Sequence, residues 1–491
     1  MSQSFIDAKD QKKLDIFKHI LFSDSGKTMK ELLHHFELKD TTLRRYINEL
    51  KIDLEQTFEG EVKLDEIINR KIIVRNPSEM AINYIVSILR LNYIKNSFLY
   101  DIISSLTRKN YISVDKLADD LNYSKSITYN NLSKLNELLE PFGAELDFKD
   151  SSNFSGNEFG VRYFLFLSYW QMYDIIEMPK VFGLARQEYI DSDFIIKTMG
   201  LSENLTVTQK YQLMLLSCIT SYRLRFSKQI SITQDFIDDI EFFYDGKICL
   251  NLNIDTKTLE NESKIFSYMV RFFVFDVDTL KRKKEIVEKF KNSELEISNA
   301  VDFVLFKMKS TFFYEYKNEN YVNSYYFLII TIIYYKYFQI HVDNSLNDSL
   351  KNNLKLLKKK KSYLTVADNL KSFVQYLPNT DSLSTLGEDV LVAILYTIYE
   401  MNSKVKPENI YIAHTANIFN SVYLKAMISK IFTDKVVNFC DSPEEAQIII
   451  SNNFESVNSG KKFFYFEDIY NKDTWDGLIV FLSGHLNESF F

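Results

Sequence analysis

Apolar positions recur with a period near 3.6 through most of this 491-residue chain, and the helical pattern changes only after Pro407. The first informative stretch is 28–54. Thr28 and Glu31 form a capping box that starts a helix. Leu32, Leu33 and Phe36 give that helix a short apolar face, and Leu38-Lys39-Asp40 breaks it. Leu43, Tyr46, Ile47, Leu50 and Leu54 then resume the spacing. A short helix, a tight turn and a longer helix make the spacing of a helix-turn-helix. The pattern returns over 113–139. Leu32, Phe36, Ile47, Leu50 and Leu54 are mirrored by Leu117, Leu121, Leu132, Leu135 and Leu139, each pair 85 residues apart. A helix precedes each copy, over 12–22 and 98–107. A hairpin-like stretch follows each, over 61–64 with 71–76 and over 143–148 with 153–157. Two tandem winged helix-turn-helix units are expected, over 1–90 and 91–165.

From 159 to 402 the pattern predicts long amphipathic helices over 161–174, 208–225, 263–275, 281–290, 298–313, 321–338, 346–359, 366–377 and 387–401. They divide into two blocks, about 166–285 and 286–402, each the size of a small helical bundle. The run Lys358-Lys359-Lys360-Lys361 reads as a solvated helix end. After Pro407 the period switches. Short apolar runs at 410–413, 436–439, 447–451 and 462–466 predict strands, a helix is expected over 418–431, and Ser442-Pro443-Glu444-Glu445 reads as a capping box opening another. Alternating strands and helices predict a small parallel α/β domain over 403–491. The fold class is mostly α and multidomain.

The outward side of each longer helix holds the candidate chemistry. A recognition helix places polar groups in the major groove while its neighbours meet phosphates. In the first copy those residues are Lys39, Thr41, Thr42, Arg44, Arg45 and Asn48. In the second they are Lys125, Ser126, Thr128, Tyr129, Asn130, Asn131 and Lys134, in a stretch from Leu121 to Asn136 without Asp or Glu. Such a stretch suits a polyanion. Few Arg residues are present to read guanine bidentately, so phosphate contacts and DNA shape are expected to dominate.

Composition narrows the picture. With 12 Gly and 6 Pro, the chain is too poor in glycine to be mainly a nucleotide-binding α/β enzyme or a β-barrel. Net charge is −7, and residues 1–150 hold 22 Lys and Arg against 24 Asp and Glu, so the cations must be arranged on one face to bind DNA. Cys218, Cys249 and Cys440 lie too far apart for a metal motif or a disulfide framework, which points to a reducing cytoplasm. The start of the chain is polar and acidic, without a signal peptide, and the apolar run 325–338 carries Lys336 and is too short for a bilayer. No Ser-His-Asp, Walker or metal-ligand constellation appears. Adjacent His34 and His35 point to different helix faces. No catalysis, metal or cofactor is expected.

Two winged helix-turn-helix units, two helical blocks and an α/β tail in that order resemble the Mga/AtxA-type virulence regulators of Gram-positive bacteria. The resemblance spans essentially the whole chain. It is most specific in the first repeat with its wing and in Gly156-Asn-Glu-Phe-Gly-Val-Arg-Tyr-Phe164. It implies that 166–285 and 286–402 are phosphotransferase-system regulation domains (PRD) and that 403–491 is like an enzyme IIB component and helps the chain dimerise. It also implies a transcription activator on promoter DNA, tuned by sugar phosphotransferase phosphocarrier proteins. Two departures qualify this. No His lies between His35 and His341, so His341 is the remaining candidate for regulatory phosphorylation. In the tail His414 stands where enzyme IIB has its cysteine, and the loop through Asn417, Asn420 and Ser421 lacks glycine, so this phosphate cradle is degenerate. Phosphotransfer through the tail and a non-DNA-binding adaptor are the alternatives to DNA binding.

Overall fold

A computed structural model describes residues 5–23, 25–67, 70–172, 182–184, 189–244, 246, 255–338, 348–379, 383–403, 407–413, 418–433, 436–452 and 461–487. The chain is mostly helical and divides into two compact units: 1–292 with 330–347, and 293–329 with 348–491.

The first unit opens with α1 (Ala8–Leu21), β1 (Lys27–Thr28), α2 (Met29–Phe36), α3 (Asp40–Phe58), β2 (Lys63–Ile67) and β3 (Lys71–Arg75). Strand β3 lies between β1 and β2 and pairs antiparallel with both. After α4 (Ile82–Lys95) the plan repeats as α5 (Phe98–Arg108), α6 (Val114–Leu121), α7 (Lys125–Leu139) and the antiparallel pair β4 (Ala144–Leu146) and β5 (Phe154–Gly156).

Local chemistry explains the repetition. Thr28 and Ser113 each accept a backbone N–H three residues on and start α2 and α6. Glu37 and Asn122, again 85 residues apart, end those helices in the left-handed conformation, with φ of 52° and 57°. The paired leucines and isoleucines of the two repeats are all buried, and Phe36 and Leu121 are both half-buried.

The unit continues through α8 (Glu158–Met172), α9 (Ser192–Met199), α10 (Val207–Arg225), α11 (Gln234–Ile240), α12 (Thr256–Phe273) and α13 (Leu280–Lys291). Helices therefore run unbroken through residues 90, 165 and 285. The aromatic surplus fills this core: Phe159 stacks on Phe338 at 3.6 Å between ring centroids, and Phe272 stacks on Tyr334 at 4.7 Å. Arg271 and Asp278 form a fully buried ion pair with a 2.7 Å contact.

The second unit contains α14 (Glu296–Phe312), most of α15 (Asn318–Tyr337), α16 (Asp348–Leu357), α17 (Lys361–Val374) and α18 (Thr385–Asn402). Lys358–Lys360 follow the end of α16, and Lys358 pairs with Asp389. Every long helix expected between 159 and 402 is present, within two turns at its ends.

The tail comprises β6 (Glu408–Ala413), α19 (Ile418–Ile431), β7 (Val437–Phe439), β8 (Ile448–Ser451), β9 (Lys462–Tyr465) and α20 (Lys472–Asn487). Its sheet is wholly parallel, in the order β7-β6-β8-β9. Ile410, Ile412, Ile448 and Ile450 pack with Leu424 and Ile428 of α19 and Leu478 and Leu482 of α20. One expectation fails here: Ser442-Pro-Glu-Glu445 opens no helix but forms a turn, in which the Ser442 hydroxyl accepts from Glu444 N. The short link from β7 to β8 must step across β6, about 10 Å, and has no chain left for a helix. Among the described residues no helix is long and apolar enough to cross a membrane.

Candidate DNA-binding interface

The outward face of each longer helix follows from its buried one. In α3 the core side takes Leu43, Ile47, Leu50 and Leu54. Thr41, Arg44, Arg45 and Asn48 are exposed, Lys39 is exposed at the N-cap, and Thr42 is half-buried. In α7 the exposed residues are Lys125, Ser126, Tyr129, Asn130 and Lys134.

Two groove-facing assignments are corrected. Thr128 is fully buried and Asn131 is only 7% exposed. Thr128 stands 85 residues after Leu43 and inherits its core position, and its hydroxyl donates to the Ser124 carbonyl at 3.1 Å. Asn131 stands at the position of Tyr46, and its amide donates to the Ile127 carbonyl at 2.9 Å. Both polar groups are satisfied within their own helix, which makes their burial tolerable.

Some cations on these faces already have partners. Arg44 pairs with Asp40 one turn back at 2.7 Å and Lys125 with Asp115 of α6 at 2.9 Å; off these faces, Lys109 at the end of α5 pairs with Asp120 at 2.6 Å. The hydrogen bond and charge of Asp115 raise the Lys125 pKa, and Lys109 with Tyr111 holds the Asp120 carboxyl below its usual range. Exposed pairs of this kind contribute little, so a phosphate can displace the acid. Adjacent to this machinery, His19 stacks on His35 at 4.0 Å, and burial of the ring lowers the His19 pKa.

The two wings differ. The first carries Lys63, Arg70, Lys71 and Arg75, with Arg75 paired to Asp65 at 2.6 Å. These four are candidate phosphate contacts that the helix-centred reading of the sequence passes over, although four cations between residues 63 and 75 are visible there.

The second wing turns inward. Asp150 pairs with Lys228. Arg223 of α10 donates to the Ser152 hydroxyl at 2.9 Å, to the Phe154 carbonyl at 3.2 Å and to Glu158 at 2.7 Å. Arg162 of α8 joins Glu158 at 2.9 Å to Glu262 of α12 at 2.8 Å and reaches the Lys228 carbonyl at 3.1 Å. Both guanidiniums are buried. Burial pushes the Glu158 pKa up, but Arg162 and Arg223 outweigh it and hold the carboxyl below its usual value.

Two glycines close this wing. A Cβ at Gly156, where φ is +99°, would lie 2.3 Å from the Gly143 carbonyl oxygen, and one at Gly160 would lie 1.9 Å from that of Phe142. The motif 156–164 is therefore a wing exit that needs backbone-to-backbone contact.

His341, His414 and Asn417 lie outside the described residues. Asn420 and Ser421 are partly exposed in the first turn of α19. Among the described residues no three His, Cys, Asp or Glu side chains come together as metal ligands.

Helix, turn, exposed polar helix and wing define residues 98–156 as a winged helix-turn-helix of the DNA-binding class. The comparison with known families agrees: residues 83–169 match the Mga helix-turn-helix domain, so this region is similar to that of the Mga-type transcription regulators. The match begins in α4, covers the whole second copy and the motif 156–164, and leaves the first copy outside. No curated protein matches the chain.

Proposed function

We propose that the chain is a non-enzymatic, cytoplasmic transcription regulator that binds promoter DNA with α3 and α7 in successive major grooves. One observation carries this reading: within the region similar to the Mga domain, α7 presents a polar, acid-free stretch from Lys125 to Asn136, while Asp115, Asp119 and Asp120 lie on α6 and Glu137 falls in the last turn of α7. In this reading the first wing adds phosphate contacts through Lys63, Arg70, Lys71 and Arg75. The chain works as a homodimer assembled through the enzyme IIB-like domain 403–491, which compensates for the modest charge of a single copy. The helical blocks act as PRD-like regulatory domains, with His341 as the acceptor for phosphocarrier proteins, and the regulated genes are virulence or surface-protein and metabolic genes under activation.

The test is equilibrium binding of the full chain to duplex DNA across salt concentrations. Arg44→Ala with Arg45→Ala, and separately Lys134→Ala, should weaken binding and flatten log K against log salt by about 0.9 per lost phosphate contact. Unchanged affinity and slope in both variants would refute the interface. Sedimentation with and without 403–491 tests the dimer. Labelling by phosphocarrier proteins with a radioactive donor, lost in His341→Ala, tests the regulatory link.

A further inference from the structure

The two recognition helices hold the same scaffold but not the same chemistry. The 85-residue register puts Thr41, Arg44, Arg45 and Asn48 of α3 at the positions of Ser126, Tyr129, Asn130 and Ser133 of α7. All eight are exposed. Where α3 presents two guanidiniums, α7 presents a phenol ring and a carboxamide.

We propose that α7 reads A·T base pairs in the major groove, with Asn130 taking adenine and Tyr129 packing on the thymine methyl. This rests on the DNA-binding reading above and names the bases for it. Helix α7 contains no Arg, its Lys125 is paired with Asp115 at 2.9 Å, and its other cation, Lys134, stands nine residues further along the helix as a phosphate contact, so the first two turns lack the guanidinium fork that guanine O6 and N7 select. It has three carboxamides, and two are engaged. Asn131 is buried against the Ile127 carbonyl, and Asn136 accepts the Leu146 N–H of the wing at 2.9 Å.

Asn130 is exposed, and no side-chain partner engages it among the described residues. A carboxamide offers one donor and one acceptor side by side, which matches adenine N6 and N7. Tyr129 is 56% exposed with no ring stacked on it among the described residues, and Ile127, in the first turn of the helix, is 39% exposed. Apolar surface on a recognition helix pairs with the thymine C5 methyl, which cytosine and the purines do not present there. Tyr129 and Asn130 are adjacent in sequence, about 100° apart around the helix, and so address neighbouring bases.

The experiment uses the full chain and mixed-sequence 40-bp duplexes at fixed salt, read by fluorescence anisotropy. The A·T-only duplex should bind more tightly than the G·C-only one by about 5- to 150-fold, the range that one good base contact provides. An inosine·cytosine duplex, which matches A·T in the minor groove and G·C in the major groove, should bind like G·C. Replacing adenine by 7-deazaadenine should weaken the native chain but leave Asn130→Ala unaffected. Replacing thymine by uracil should weaken the native chain but leave Tyr129→Ala unaffected.

Inosine·cytosine behaving like A·T would mean minor-groove or shape readout and would overturn the proposal. So would equal binding of A·T and G·C duplexes, or variants that keep the native sensitivities. Binding to no duplex even at low salt would instead defeat the DNA-binding reading itself. Both side chains are exposed, so the variants should match the native chain in thermal unfolding, which separates lost readout from lost fold.

Discussion

Arg162 is the side chain on which the second wing's anchorage can be measured. Its guanidinium is the charged partner of Glu262, a carboxylate only 3% exposed, and one of two charged partners of Glu158. Arg162→Met keeps the bulk and removes the charge. Glu158 retains Arg223, whereas among the described residues Glu262 keeps only a 3.4 Å contact from Ile230 N. A buried carboxylate left without its counter-charge costs about 3–5 kcal/mol. Because one of the two acids stays paired, the expectation is the lower end, about 3 kcal/mol. Removing both members, as Arg162→Met with Glu262→Leu, leaves no orphan charge and should be close to neutral. The cycle should therefore show a coupling of about 3 kcal/mol, well above the few tenths seen for independent sites. A global unfolding curve is a poor readout for a chain of several units. Hydrogen exchange of peptides from β4, β5 and α8 reports local opening directly. Protection in Arg162→Met within about 1 kcal/mol of native, or additive single effects, would show that the cluster does not hold the wing.

Other outcomes follow from the same geometry. Gly160→Ala should destabilise the second copy by about 1–3 kcal/mol or more, because its methyl meets the Phe142 carbonyl rather than a flexible side chain, and unchanged hydrogen exchange in β4 and α8 peptides would contradict this. Thr128→Val should leave DNA affinity within about twofold, since the residue faces the core, and a loss like that of Lys134→Ala would return Thr128 to the interface. Asp115→Asn should free Lys125 and steepen the salt dependence of DNA binding, so an unchanged slope would remove Lys125 from the phosphate contacts. The depressed pKa values of Glu158 and Asp150 stabilise the wing above the ordinary carboxyl range. That contribution should fade as pH falls below about 4.5 through their folded values, seen as faster exchange in β5, and wing protection that rises on acidification would reverse the sign.

The helix-turn-helix scaffold was legible because its determinants are local: caps at Thr28 and Ser113, left-handed ends at Glu37 and Asn122, and leucines at helical spacing. The parallel sheet of the tail was legible for the same reason, through its Ile-rich runs at 410–412 and 448–450. Helices α4, α9, α11 and α20 are not evident in the sequence: α4 has no capping side chain, and α9 and α11, at eight and seven residues, are too short for their period to stand out despite the caps Asp191 and Thr233. Thr128 and Asn131 are polar yet buried, so residue type alone does not give their faces. The repeat itself held the correction, as Thr128 aligns with Leu43. The clamp was not legible at all: Glu158, Arg162, Arg223, Lys228 and Glu262 span more than 100 positions, and only packing brings them together.

The tertiary pairings also change what the charge count means. Over residues 1–150 acids outnumber bases by two, which reads as unfavourable for DNA. Many of those acids are engaged within the protein. Asp10 and Asp53 neutralise the buried Lys13, at 2.9 and 2.6 Å, and Asp53 also accepts from Tyr93 at 2.6 Å. Asp101 accepts from Tyr123, Asp120 from Tyr111, and Asp150 meets Lys228. By contrast Lys39, Arg45 and Lys134 are exposed without a carboxylate partner among the described residues. A phosphate responds to the field at the helix face, screened within about 10 Å by salt, rather than to a sum over the domain. The fold thus produces a cation-bearing surface from an acidic segment by assigning its acids to internal pairs. In the second copy, where the wing's Asp150 and the neighbouring Glu158 are taken up by Lys228 and the buried arginines, the outward face of α7 carries hydroxyls, a ring and an amide beside Lys125 and Lys134, groups suited to reading base edges as well as to meeting phosphates.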